Sequence, residues 1–212
     1  RDTVRILEKN GIEYAFFSYT MWNNGLATPR GKEYLNNEYT PELAKADIER
    51  VKGKCDLIIV AMHWGTEYSM GVSDKQEEVA NYLSSLGVNI IIGAHPHVVE
   101  PIEYINNGKT LVIYSLGNFI SDQVGIERLT GLMVTLNVKK VVEKQISTVT
   151  VENVKGSLLY TKSNSYTPRN FRVYPYSQLN STILPNYKSY YEKYKAVVTS
   201  RYPNLQFDEV SG

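Results

Sequence analysis

The sequence predicts an α/β protein built around parallel strands. Two strand-helix-strand units follow one another between residues 12 and 92, each long enough to join neighbouring parallel strands by a right-handed crossover. Their strands are runs of aliphatic and β-branched residues, such as Leu57-Ile-Ile-Val and Ile90-Ile-Ile, which are typical of buried strands. A hydrophobic content of 42% in 212 residues is enough for one domain of ordinary size with an appendage.

Caps and turns define the elements of the first half. Asn10-Gly11 is a common helix stop, which predicts that residues 3–9 end a helix. Thr40 followed by proline begins a helix, and Ser73 caps another. Residues 20–40 contain turn formers without apolar periodicity, so we expect a long loop, which in a compact domain is usually functional or disordered. The expected strands are 12–19, 55–62 and 88–92, and the two capped helices are expected to end at Gly53 and Gly87.

The second half is expected to be mostly antiparallel. A hairpin turns at residues 106–109, and a later turn is predicted at Asn153-Val-Lys-Gly156. A terminal helix is predicted at residues 186–201, and residues 204–212 are expected to fray. The tyrosines that crowd together after residue 160 favour half-buried packing over a carbohydrate-binding surface. The expected strands are 98–105, 110–115, 131–138, 142–154, 157–160 and 170–174.

Charge and cysteine content exclude several classes of protein. The formal net charge is +1, so the composition indicates binding neither to nucleic acid nor to an acidic membrane surface. The single cysteine, Cys55, rules out an internal disulfide framework. No apolar run reaches the roughly 20 residues that cross a bilayer, and no signal segment is recognisable. The chain begins with Arg1 rather than methionine, which suggests a processed or truncated polypeptide.

All three histidines of the chain follow predicted strands of the parallel sheet. His63 ends one strand, while His95 and His97 follow the next and are separated by Pro96. Residues two apart on an extended chain project to the same side, so His95 and His97 can face one ion. Ligands collect at this edge in open α/β sheets. One strand-end histidine is often only a hydrogen-bonded polar residue, but the three together favour a functional site, with metal binding as the leading interpretation.

The loop after the first strand is expected at the same edge. If strand 12–19 is parallel to strand 55–62, its carboxyl end lies beside the histidines. Trp22 and Arg30 are then candidates for contacting a substrate, with Arg30 suited to a carboxylate or phosphate. A solvated loop with an incidental tryptophan is an equal alternative.

Three short motifs resemble those of a known family. They are His63-Trp-Gly-Thr-Glu67, Gly93-Ala-His-Pro-His97-Val and Tyr114-Ser-Leu-Gly-Asn-Phe119. In this order and spacing they are similar to the signatures of the CapA-type capsule and poly-γ-glutamate synthesis proteins, within the calcineurin-like metallophosphoesterase superfamily. The resemblance covers residues 1–176 and leaves residues 177–212 as a C-terminal helical extension. It implies a two-sheet α/β/β/α sandwich with its helices outside.

The resemblance also implies which residues form the site. The three histidines match metal ligands of the superfamily, which hold divalent ions such as Zn, Mn or Fe. Glu67 and Asn118 match positions that take part in catalysis or orient the ligands and the substrate. Trp64 joins Trp22 and Arg30 as a substrate-binding candidate.

The earlier motifs of the superfamily, which carry an Asp, an Asn and a further His, are not found in this sequence. The sandwich is therefore expected to lack its N-terminal strands and helices, which would expose a sheet edge. We expect the N-terminal half of the same domain as a partner, in the same chain, in a separate chain or by swapping. With that half present, the site is expected to hold two metal ions.

The function implied by the resemblance is that of a metal-dependent hydrolase or transferase acting on an ester, amide or phosphate bond. Its substrate would be an anionic polymer or a cell-wall component, at the extracellular face of the cell membrane or elsewhere in the cell envelope. The alternative is a non-catalytic subunit that binds the polymer or the membrane subunits of a polymer synthase. In that case the histidines would be structural.

Overall fold

The structure, a computed structural model, describes residues 4–144, 146–164 and 170–210. Its larger sheet, sheet I, contains six strands: β1 (Ile6–Lys9), β2 (Ile12–Thr20), β3 (Leu57–His63), β4 (Ile90–Ala94), β5 (Ile102–Ile105) and β6 (Thr110–Ile113). The spatial order is β1-β2-β3-β4-β6-β5, in which β2, β3, β4 and β6 are parallel and the two edge strands are antiparallel. The predicted parallel sheet and the predicted hairpin are confirmed.

The smaller sheet, sheet II, contains β7 (Thr130–Glu143), β8 (Ile146–Ser163), β9 (Phe171–Pro175) and β10 (Gln206–Phe207). The long strand β8 is antiparallel to β7 and β9 and parallel to β10. The two-sheet α/β class is therefore confirmed.

The first predicted helix ends at Glu49, before turns at residues 50–54, and not at Gly53, whereas the second ends at Gly87 as predicted. Both begin where Thr40 and Ser73 predict, and they belong to a set of four α-helices in the described residues. The four are α1 (Pro41–Glu49), α2 (Asp74–Leu86), the short α3 (Ile126–Leu129) and α4 (Tyr187–Thr199). The Thr40 hydroxyl accepts a hydrogen bond from the Leu43 amide at 3.1 Å. Ser73 and Gln76 form a reciprocal capping box at the start of α2, and Gly87 ends that helix with a φ of 104°. None of the helices in the described ranges combines the length and the apolar composition of a membrane-spanning segment.

The segment at residues 6–9 is a strand, so the prediction that it ends a helix is wrong. Asn10 and Gly11 have φ angles of 53° and 78°, and they form the two-residue turn that pairs Lys9 with Ile12. An Asn-Gly pair supplies positive φ equally well to a helix stop and to a type I′ hairpin turn. The predicted first residue of this segment, Thr3, lies outside the described residues.

The predicted turn at residues 153–156 is also wrong, because β8 runs through it. Thr135 pairs with Lys155 and Asn137 pairs with Glu152, so two residues of β8 lie opposite one residue of β7. Asn153 has a φ of 53° within this bulge. β7 extends to Glu143, beyond the predicted end at residue 138, and β8 begins at Ile146; residue 145 is outside the described residues.

The C-terminal segment is packed rather than frayed up to residue 210. Leu205 is buried, and Gln206 and Phe207 pair with β8. The Tyr191 hydroxyl donates to the Asp208 carbonyl oxygen at 2.6 Å. Apolar burial and a short strand therefore hold this segment, while residues 211–212 lie outside the described part.

Two apolar clusters form the core. The first packs α1 and α2 against sheet I, and the second joins sheet I, sheet II and α4. Tyr176, Tyr191 and Tyr194 belong to the second cluster and are at most 5% exposed, so they are buried more completely than the half-buried packing that the sequence predicts.

The central strands of sheet I are covered fully on only one face. Along β3, Val60 and Met62 are buried beneath the helices, whereas the alternate residues Ile59 and Ala61 are half-buried, as is Ile92 of β4. Between this second face and sheet II lies an apolar cavity of about 530 Å³. Its lining residues are Ile59, Ile90, Ile92, Ala94, Ile113, Leu116, Gly117, Phe119, Leu132, Met133, Val134, Leu136 and Leu159.

Candidate metal site at the strand ends

The three histidines lie at the carboxyl end of sheet I. His63 is the last residue of β3 and is in register with Thr20 at the end of β2 and with Ala94 at the end of β4. His95 and His97 follow in a tight turn and have φ angles of 107° and 60°. Such angles are unfavourable for residues that carry a Cβ, and they persist where the surrounding structure fixes them.

Two motif residues, Gly93 and Trp64, hold the backbone next to this turn through close contacts with Tyr114. A Cβ added to Gly93 would lie 1.8 Å from the Tyr114 carbonyl oxygen, so no other residue fits there. The indole of Trp64 donates to the same oxygen at 2.9 Å. Trp64 is 1% exposed and has no free surface for a substrate. The prediction that Trp64 contacts the substrate is therefore wrong, and its role is structural.

A chain of hydrogen bonds orients His63. The Thr20 hydroxyl donates its proton to the Trp22 carbonyl oxygen at 2.6 Å, so the same oxygen accepts from His63 Nδ1 at 3.0 Å. His63 therefore carries its proton on Nδ1. The lone pair of His63 Nε2 then points toward His95 Nδ1, which lies 3.1 Å away.

Asn118 orients His97 in a similar way. Its amide nitrogen donates to the carbonyl oxygens of His97 and Arg128, at 3.3 and 2.9 Å, and to Gln123 Oε1 at 3.2 Å. Its oxygen must then face His97 Nδ1, 2.9 Å away, and accept a proton from it. The Nε2 lone pair of His97 is left available for another ligand.

Burial favours the neutral form of His63 and His95, which is the form that binds metals. It lowers the pKa of His63, and electrostatic repulsion from His97 lowers it further. Burial likewise lowers the pKa of His95, with a smaller contribution in the same direction from His63 and an opposing one from Glu67. Both imidazoles are therefore neutral at pH 7, as metal ligation requires.

The geometry of His63 and His95 fits one divalent ion in part. Two nitrogens at the usual 2.0–2.1 Å from a tetrahedral zinc ion are about 3.3 Å apart. The distance between His63 Nε2 and His95 Nδ1 is 3.1 Å. The ring of His97 lies 6.1 Å from that of His95, and no cluster of three or more His, Cys, Asp or Glu side chains among the described residues is arranged to hold an ion. The described residues thus offer a pair of nitrogens and an oriented third imidazole.

The other predicted site residues differ in their position. The ring of Trp22 lies 4.8 Å from the ring of His95 and is 38% exposed, so it forms a wall of the site. Glu67 is exposed and close enough for its charge to act on His95. Arg30 is exposed in a loop turn, and no hydrogen bond or ion pair joins it to another residue in the described ranges. The structure therefore brings Trp22 and Glu67 to the histidines but shows no such contact for Arg30.

Residues that the sequence reasoning missed also contact the site. The ring of Tyr68 stacks on His97 with centroids 6.0 Å apart, and Arg128 lies over Tyr68. Thr20 could have been predicted as a site residue from the sequence, because it ends the strand that lies parallel and next to the one ending at His63. Arg128 follows His97 by 31 positions in the sequence and belongs to no motif that identifies it.

Comparisons with known proteins identify the family. Residues 1–123, more than half of the 212-residue chain, match the family described as bacterial capsule synthesis protein PGA_cap. The PGA biosynthesis protein CapA of Bacillus subtilis (strain 168) is 37% identical over 138 residues, covering 62% of this chain and 34% of that protein. The capsule biosynthesis protein CapA of Bacillus anthracis is 43% identical over 72 residues, covering 34% of this chain and 17% of that protein. The match thus spans about a third or less of these relatives.

A solved structure is similar to this chain over most of its length. It is that of a novel phosphatase from Mycoplasma pneumoniae, with a TM-score of 0.44 and 13% sequence identity, and the similarity covers 81% of this chain and 56% of that one. The sequence match is the more specific finding, because the family profile covers all three histidines and Asn118. The chain belongs to the PGA_cap family of bacterial capsule synthesis proteins.

Proposed function

We propose that the chain supplies the histidine ligands of a metal-dependent hydrolase or transferase that acts on an ester, amide or phosphate bond during capsule or poly-γ-glutamate assembly. The observation that supports this most is the convergence of His63 Nε2 and His95 Nδ1 at 3.1 Å, with Asn118 orienting His97 beside them. These neutral nitrogens lie at the strand ends, in a chain that belongs to a capsule synthesis family.

Each residue has a separate role in this proposal. His63 and His95 hold the ion, and His97 presents Nε2 toward a further ligand. A bound Zn, Mn or Fe ion would act as a Lewis acid and lower the pKa of bound water. Glu67, whose charge acts on His95, accepts or donates a proton, and the ring of Trp22 shields His95 from water. Thr20 and Asn118 fix the proton positions of two imidazoles.

We propose that the apolar cavity between the sheets takes up an apolar segment of the N-terminal half of the same domain, which is present in the same chain, in a separate chain or by swapping. Parallel sheets are normally covered on both faces, whereas Ile59 and Ile92 on the central strands are only half-buried. The cavity is apolar and extends to Ala94, the last strand residue before the histidine turn. A segment seated there is well placed to supply the remaining metal ligands, including those of a second ion.

The substrate and the location follow from the family as proposals. We propose an anionic polymer or cell-wall component as substrate, membrane subunits of the synthase as further partners, and the extracellular face of the cell membrane as the location. The family is one of capsule synthesis, and a capsule lies outside the membrane.

A non-catalytic scaffold is the second candidate. Two observations favour it. His63 and His95 contact each other directly, as two hydrogen-bonded imidazoles do, and the described residues contain no cluster of three metal-binding side chains. In this case the domain would bind the polymer or the synthase without turnover.

Turnover assays separate the two candidates. The full-length protein, loaded with Zn²⁺, Mn²⁺ or Fe²⁺, is tested on a phosphomonoester, a phosphodiester, a carboxylic ester and γ-glutamyl peptides. His95→Ala should lower turnover of the active class by about 100-fold or more. Lys109→Ala, in an exposed hairpin turn, is the control and should leave turnover unchanged. Absence of turnover on every substrate by the metal-loaded wild type would favour the scaffold.

A further inference from the structure

A pair of side chains beside His97 has no role in the proposed metal site. The ring of Tyr68 stacks on the His97 ring at 6.0 Å with an interplanar angle of 28°. The guanidinium carbon of Arg128 lies 4.2 Å from the centroid of the Tyr68 ring. The Arg128 guanidinium is therefore at most about 10 Å from the His97 ring, and both contact Tyr68.

The backbone holds this pair in place. Tyr68 has a φ of 65°, which is unfavourable for a side chain of its size, and its amide donates to the Pro96 carbonyl oxygen at 2.7 Å. The Arg128 carbonyl oxygen accepts from the Asn118 amide that also orients His97. Tyr68 and Arg128 are thus each tied by a backbone hydrogen bond to the structure that carries His97.

Arg128 has an ion-pair partner, but one of its buried donors makes no hydrogen bond within the described ranges. Its side chain is 33% exposed, and its buried Nε has no hydrogen-bond partner among the described residues. Its ion-pair partner is Glu127, whose Oε1 lies 3.7 Å from Nε, too far for a hydrogen bond. A buried donor without a partner is costly, and a guanidinium has five donors in a planar arrangement that matches a carboxylate or phosphate.

Two other arginines that contact tyrosines show the difference. Arg201 lies over Tyr114, and its charge is compensated by Glu77 and Glu103. Arg172 lies over Tyr174, is exposed to solvent and donates to the Tyr174 hydroxyl at 3.3 Å. Of these three, only Arg128 combines partial burial, an unpaired buried donor and a position beside the histidines.

We propose that Arg128, held against Tyr68, is the residue that selects an anionic substrate, by binding two oxygens of a carboxylate or phosphate group next to His97. This inference rests on the proposed function and names how its substrate is recognised. The side chains of a γ-linked glutamate polymer would offer carboxylates, and a phosphate ester would offer phosphate. Arg128 binds the group and takes no part in breaking a bond.

Binding measurements on the full-length protein test this inference. Oligo-γ-glutamate and inorganic phosphate are titrated separately, with the fluorescence of the half-exposed Trp22 or the heat of binding as the signal. Arg128→Gln should weaken binding of at least one probe by roughly tenfold or more, and Arg128→Lys should weaken it less, because lysine keeps the charge and loses the two-pronged geometry. Arg172→Gln is the matched control and should leave both dissociation constants unchanged. Melting temperature and bound metal are measured for every variant.

The pattern of results identifies the anion, and it separates a failure of the role of Arg128 from a failure of the proposed function. Weakening confined to oligo-γ-glutamate assigns a carboxylate, and weakening confined to phosphate assigns a phosphate. Unchanged dissociation constants in folded Arg128→Gln, or no binding of either probe by the wild type, would overturn the role of Arg128. If metal content and turnover were normal in that case, the proposed function would stand. If the wild type bound a probe through Arg128 but contained no metal and showed no turnover, the proposed function would be wrong and the role of Arg128 in anion binding would stand.

Discussion

Glu100→Gln should make the stability of the protein less dependent on pH. Glu100 is 0% exposed, its Oε2 accepts from Gln76 at 2.7 Å, and its Oε1 has no hydrogen-bond partner within the described ranges. Burial raises the pKa of Glu100 from 4.5 to about 8, against the opposing effects of the Gln76 hydrogen bond and the charge of Arg201. The carboxyl group is therefore mostly protonated at pH 7 in the folded protein.

The sign and size of the effect follow from this pKa. A folded-state pKa above the unfolded value gives stability that is complete below about pH 4.5 and is lost as the pH rises through about 8. Glutamine stays neutral and accepts the same hydrogen bond from Gln76. The unfolding free energy of Glu100→Gln relative to the wild type should therefore rise by about 2.5 kcal/mol between pH 6 and pH 9, as an order of magnitude.

Urea unfolding of both proteins at pH 6 and pH 9 measures this change. Other titrating groups are shared by the two proteins and cancel in the difference. Glu192→Gln, at an exposed position of α4, serves as the control and should show no such change. Parallel pH profiles for the wild type and Glu100→Gln would refute the reasoning, because Glu100 would then ionise equally easily in the folded and unfolded states.

Two further predictions concern the site and the cavity. Asn118→Ala removes four hydrogen bonds, two of them to His97. It should lower the unfolding free energy by about 2 kcal/mol and the metal affinity by about 10- to 100-fold. A metal titration that gave the wild-type affinity would contradict the orienting role of Asn118. Ile92→Lys places a charge in the cavity between the sheets and should weaken association of residues 1–212 with the separately produced N-terminal half, measured by sedimentation, by at least tenfold. Lys109→Ala should not affect this association, and equal association of Ile92→Lys would show that the cavity is not the contact.

The sequence predicts those parts of the fold that depend on local chemistry. Thr40, Ser73 and Gly87 have the side chains or the backbone freedom that helix ends require. In the structure, Thr40 and Ser73 cap the starts of helices and Gly87 ends one. Aliphatic runs before His63 and His95 indicate buried strands, and parallel pairing then brings their ends together. Proximity of the histidines is thus predictable from strand direction alone.

The remaining features depend on long-range contacts. Asn10 and Asn153 both adopt positive φ, yet one lies in a hairpin turn and the other in a bulge, because strand pairing decides which structure uses that angle. Residues 206–207 form a strand only because β8 offers them a partner. Arg128 reaches the site through the packing of Tyr68 on His97, and no local pattern predicts that contact.

Metal content tests the central claim most directly. The full-length wild-type protein and its His63→Ala, His95→Ala and His97→Ala variants are purified, exposed to Zn²⁺, Mn²⁺ or Fe²⁺ and dialysed, and bound metal is counted by elemental analysis, with circular dichroism to confirm folding. The account predicts bound divalent metal in the wild type and a clear loss in each folded variant, because each substitution removes one of few imidazole ligands. Full metal content in all three variants, or none in the wild type, would contradict it.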